Sequence, residues 1–149
     1  MKIKTDHNFS IKKYASWANE IIEENPIIID KIANSCSLNA EESNEALVEA
    51  LKYLDLVSHT KEVLTPSIIV DYAWHEFILC TKSYAAFCTE KFGKFIHHHP
   101  GGRTNETISQ FRRTIKYYIL YIGEPNVKYW GKEAADEWEI SQCGSCSPH

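Results

Sequence analysis

The stretch from Thr65 to Pro100, T-P-S-I-I-V-D-Y-A-W-H-E-F-I-L-C-T-K-S-Y-A-A-F-C-T-E-K-F-G-K-F-I-H-H-H-P, restricts this chain more than any other. Thr65 is a good helix N-cap and Pro66 suits a first helical position, so a helix is predicted to start there. At ~100° per residue, Asp71 and His75 lie about 40° apart on it, flanked by Ile68, Trp74, Ile78 and Leu79. Only Glu76 is predicted to face solvent. A helix that is apolar almost all round belongs in a core, which would withdraw Asp71 and His75 from water and oblige them to find partners. The helix is expected to break near Thr81, restart through Tyr84, Phe87 and Cys88, and stop at Gly93. An antiparallel return would then carry His97, His98 and His99 back towards Asp71.

The other segments read as helices as well. Ile11, Tyr14, Ala15, Ala18, Ile21 and Ile22 recur at helical spacing behind Ser10, and Pro26 ends or redirects that element. Pro26 to Ala33 reads as a short helix, though its run Ile27, Ile28, Ile29 also suits a strand. Asn39 and Glu42 have capping-box spacing, ahead of Ala46, Leu47, Ala50, Leu51 and Leu54. Leu56 to Leu64 reads as a connection with room for two very short strands. Thr104 caps a long helix with the stripe Ile108, Phe111, Ile115, Tyr118, Ile119 and Ile122, which Gly123 and Pro125 close. A short helix over Lys132 to Glu139 docks Trp138. The sum is an all-α fold, a single compact bundle of about six helices around the Pro66 helix, with residues 1–140 as the globular domain and 141–149 as a flexible Cys/Ser-rich tail.

Composition narrows the partners. With 149 residues, 44% of them hydrophobic, there is chain enough for one core, and a formal charge of -4 with scattered Lys and Arg offers no footprint for nucleic acid or an anionic membrane. No apolar run reaches transmembrane length, and Met1 to Asn8 lacks the apolar centre of a signal peptide, so a cytoplasmic protein is expected. Five cysteines, an odd number in a chain too large to need staples, predict reduced thiols.

Three groups of residues have chemistry to offer. Asp71, His75, His97, His98 and His99 supply carboxylate and imidazole ligands suited to zinc, iron or manganese. In an extended segment His97 and His99 point one way and His98 the other, so one or two of them can join Asp71 and His75. The alternative is a structural one: Asp71 bonds His75 or a backbone amide, His75 is a core imidazole, and the histidine run is a solvated loop. Cys143 and Cys146 form a C-x-x-C that supplies two thiol ligands, with His149 or the histidine run completing a zinc site. Cys80 and Cys88 are candidate nucleophiles, but Cys88 falls on an inward stripe where a thiol behaves as a small hydrophobe. Trp74, Tyr84 and Cys88 are expected to line the pocket. Arg112 and Arg113 read as a solvated face.

The run V-D-x-x-W-H-x-F-I-L-C-T-x-x-Y-x-x-F-C, with the C-G-S-C-S tail, resembles the glycine-rich domain-containing protein-like family. That resemblance implies a fold and a focus on Asp71, Trp74, His75, Tyr84, Cys88 and His97 to His99, but no reaction. Plant relatives often have a second histidine where this chain has Phe77, so a ligand set built on it would not transfer. Two functions follow from the sequence: a metal-binding protein holding zinc or iron, with metal-dependent catalysis open to it, or a non-enzymatic protein-interaction module whose Asp/His pair is structural.

Overall fold

The structure, a computed structural model, describes residues 9–99 and 104–143. Among these residues the chain is all-helical: α1 (Ile11–Glu24), α2 (Ile28–Cys36), α3 (Ala40–Ser58), α4 (Ile68–Leu79), α5 (Thr81–Phe92), α6 (Asn105–Tyr121), α7 (Val127–Trp130) and α8 (Lys132–Gln142). Local chemistry sets most boundaries. The Asn39 side chain accepts from the Glu42 amide at 2.8 Å while the Glu42 side chain accepts from the Asn39 amide at 3.0 Å, closing a capping box on α3. Thr104 and Thr107 do the same for α6. Gly93 ends α5 at φ 71°, in the left-handed region that a glycine enters without a Cβ penalty.

Two boundaries differ from expectation. The strands allowed between Leu56 and Leu64 are absent among the described residues, because α3 runs on to Ser58. Helix α4 starts two residues late. Thr65 spends its amide on Thr114 Oγ1 (3.0 Å) and its hydroxyl on Gln110 Oε1 (2.7 Å), which pins it to α6 outside the helix. Ser67 caps instead, accepting from the Val70 amide at 3.3 Å and donating to the Tyr129 carbonyl at 2.6 Å.

The centre of the bundle is α3, rather than the Pro66 helix. Helices α1, α2, α4 and α6 all pack on it, and Leu47, Ala50, Leu51, Leu54 and Leu56 have no solvent exposure. Its polar residues Glu49, Lys52 and Asp55, spaced by three, are drawn inside too. Glu49 Oε1 accepts from Tyr118 Oη (2.6 Å) and Trp130 Nε1 (2.8 Å), and Glu49 Oε2 from Lys52 Nζ (2.8 Å). Asp55, 1% exposed, accepts from Tyr14 Oη at 2.6 Å and faces Lys13 Nζ at 3.0 Å and His59 Nε2 at 3.4 Å. These bonds tie α1, α6 and α7 to α3 and offset the desolvation of two carboxylates, a cost of several kcal/mol each if left unpaired. Among the described residues no buried side-chain nitrogen or oxygen lacks a partner.

Burial, reinforced by Asp55 and Glu49, pushes the phenols of Tyr14 and Tyr118 far above the ordinary tyrosine range, and burial raises Tyr53 and Tyr84 as well. Each is neutral in the fold but ionises near pH ~10 once unfolded. The associated stability is complete below that pH and is lost as pH rises above it, by up to ~1.4 kcal/mol per pH unit per tyrosine. Denaturant midpoints should therefore hold up to about pH 10 and fall steeply above it. Phenolate absorbance should grow in with the loss of helicity; buried phenols ionising in a protein of intact helicity would contradict the packing.

Candidate functional site

The site sits where the segment after α5 returns along α4. Residues 95–99 alternate as an extended chain must: Ile96 is buried and His98 half-buried, while Phe95, His97 and His99 are exposed. Tyr84, on α5, fixes the return. Its hydroxyl accepts from Trp74 Nε1 at 3.0 Å and donates to the Ile96 carbonyl at 2.5 Å. With Ile96 held, His98 lands on α4. Its Nε2 lies 2.7 Å from Asp71 Oδ1, and its ring stacks obliquely on Trp74 with centroids 4.5 Å apart. The His75 ring lies 6.1 Å from that of His98.

The expected five-residue metal set is thus gathered only in part. The alternation that turns His98 inwards turns His97 and His99 out, and His97 rests against Phe95 at 4.7 Å. His75 is exposed and Asp71 keeps 44% of its side-chain surface, so neither is withdrawn from water as the apolar pattern suggested. Glu76, expected in solvent, is half-buried and accepts from Ser35 Oγ at 2.8 Å. Among the described residues no three His, Cys, Asp or Glu side chains are close enough to hold an ion as they stand.

Trp74, Tyr84 and Cys88 are where the sequence puts them, on inward faces, but as packed core: they are 5%, 1% and 0% exposed and wall the site from beneath. Burial raises the thiols of Cys88, Cys80 and Cys36, with Glu76 adding to the last two, which disfavours the thiolate that nucleophilic catalysis needs. Cys143 is disulfide-bonded, against the expectation of reduced thiols, so it has no thiolate to offer as a ligand. Cys146 and the tail beyond residue 143 lie outside the described residues. A surface cavity of about 360 Å³ opens elsewhere, between Glu62 and the α6 residues Ser109, Arg112, Arg113, Lys116 and Tyr117. Arg113 is occupied there by Glu62 (2.9 Å) and the Val63 carbonyl (2.9 Å), and Arg112 by Glu133 (3.0 Å), as a solvated face would be.

What the sequence did not disclose is the free face of α4. Ile68, Tyr72 and Leu79 are 70%, 48% and 61% exposed, and with His75 they recur at i, i+4, i+7 and i+11. At ~100° per residue the four fall within about 60° of one another, a single ridge running the length of the helix. Asp71 borders it on one side and Glu76 on the other.

Tyr84→Phe should strip the Trp74 indole and the Ile96 carbonyl of their shared partner, costing about 2–3 kcal/mol. The His98 ring resonances should then move towards those of a solvated histidine while α4 stays helical. An unchanged His98 environment in that variant would show that Tyr84 does not hold the segment.

Residues 11–121 match the family model described as UCP032817-like. The resemblance to the glycine-rich domain-containing protein-like family is thereby overturned: it rested on a motif of about a quarter of the chain, whereas this match spans most of it. No curated protein and no solved structure matches.

Proposed function

Since the chain belongs to the UCP032817-like family, and membership supplies no reaction, we propose from the site itself that the domain is a binding module. It presents the α4 ridge to a helical partner whose apolar stripe is edged with lysine or arginine. The observation that carries this reading is the exposure of Ile68, Tyr72 and Leu79 on one face. Single exposed apolar side chains are ordinary, but a continuous stripe marks a contact surface. Its spacing is the one by which helices engage helical partners.

Charge favours the occupant. Helix α4 carries Asp71 and Glu76 beside the ridge and no lysine or arginine, on a chain of formal charge -4. A partner with cationic edges complements it, while a second copy sets the same acidic edges against each other. In this reading the Asp71/His98 bond is a strap that holds the returning segment beside the ridge.

The test uses two synthetic amphipathic helices, one of leucine and lysine and one of leucine and glutamate, followed by fluorescence anisotropy. The lysine peptide should bind, the glutamate peptide should not, and Tyr72→Ser/Leu79→Ser should weaken binding at least about tenfold, ~1.4 kcal/mol. Leu79 is mostly exposed and Tyr72 about half exposed, so the melting temperature should move far less than for a core substitution. Equal binding of the two peptides, no binding of either, or a double variant that binds like the parent would refute the reading. Ridge-dependent dimerisation in light scattering would assign the face to a second copy instead.

A further inference from the structure

We infer that Asp71, His75 and His98 form a binding site for one divalent transition-metal ion at the edge of α4. The inference does not depend on the ridge having a protein partner. It rests on the distances among the three side chains and on which of them are free to move.

Two donors held about 2.0–2.2 Å from one ion lie roughly 2.9–3.4 Å apart in tetrahedral or octahedral geometry. Asp71 Oδ1 and His98 Nε2 are 2.7 Å apart, so opening this bond by a few tenths of an ångström admits an ion where a proton is now shared. A neutral His98 ring then carries its proton on Nδ1 and leaves Nε2 to the ion. His75, one helical turn from Asp71, is the third ligand. Imidazoles sharing an ion through adjacent positions place their centroids about 5 Å apart, against 6.1 Å between His75 and His98. His75 is exposed, so its ring has room to turn inward across that gap.

The floor of the site is rigid. Trp74 lies under the His98 ring, and the Trp74 indole is itself fixed by Tyr84, which also anchors Ile96. The backbone on both sides is therefore set before an ion arrives, and only side-chain rotation is needed. Two nitrogens and one carboxylate oxygen form a borderline donor set suited to zinc, cobalt, iron or manganese, with the remaining positions left to water. His97 and His99, turned to the opposite side of the segment, take no part.

The probes are Zn2+ and Co2+ added to the full chain under non-reducing conditions, followed by calorimetry and by the visible absorption of bound Co2+. One ion per chain is expected. Affinity should fall at least tenfold in His75→Ala, His98→Ala and Asp71→Asn, and stay unchanged in His97→Ala and His99→Ala. Should His98→Ala lose helicity by circular dichroism, His75→Ala and Asp71→Asn decide, since neither residue is buried. Absence of uptake overturns the site. So does a loss in His97→Ala or His99→Ala as large as that in His75→Ala, which would place the ion on the histidine run. The ridge peptides are measured without metal, so either proposal can fail alone.

Discussion

Two carboxylates inside α3 set the rest of the structure. Glu49 and Asp55 sit on a helix with no exposed residue from Ala46 to Ser58, and a buried charge is tolerable only with partners of good geometry. The partners come from α1 (Lys13, Tyr14), α6 (Tyr118), α7 (Trp130) and α3 itself (Lys52), with His59 at its end. Apolar contact alone would let the neighbouring helices slide or rotate on α3. The directional bonds to Glu49 and Asp55 fix their register, because any displacement strands a carboxylate.

With α3 at the centre, α4 becomes a wall. Its inward side, Val70, Ala73, Trp74 and Phe77, is buried, while its outward side has no neighbour among the described residues to cover it. The return after α5 is laid against one edge of that outward side by Tyr84 and by the Asp71/His98 bond. The result is a helix displaying a ridge of Ile68, Tyr72, His75 and Leu79 in its middle, Asp71 with the His98 imidazole along one border, and Glu76 along the other. Both functional readings draw on this one arrangement.

Much of the fold was legible in the sequence. The caps Asn39 and Thr104, the stop at Gly93 and the inward stripe of Tyr84, Phe87 and Cys88 follow from local rules, and the structure repeats them. The failures have physical reasons. Hydrophobicity all round a helix says that both faces will be covered, but not by what; in α4 one face stays open within the described residues. Glu49, Lys52 and Asp55 recur every three residues on α3, and the tyrosines that cover them come from parts of the chain distant in sequence, which no local pattern encodes. A signal was present nonetheless, since Leu56 falls among Glu49, Lys52 and Asp55 on the helical wheel and Tyr53 falls beside them, which leaves α3 no wide polar side. Thr65 lost its capping role to Ser67 through contacts with α6 that no local pattern encodes. The site was half legible: alternation puts His98 apart from His97 and His99, but only the fold shows which of the three meets Asp71.

The claim on which the account turns is that the outer face of α4 is open to water while α3 is closed from Ala46 onwards. Methyl NMR with a soluble paramagnetic probe measures this directly. The account predicts that the methyls of Ile68 and Leu79 relax as fast as those of exposed Ile11, while those of Leu47, Leu51 and Leu54 are untouched. Protected Ile68 and Leu79 methyls in the isolated chain would contradict it, for the ridge would then already be covered.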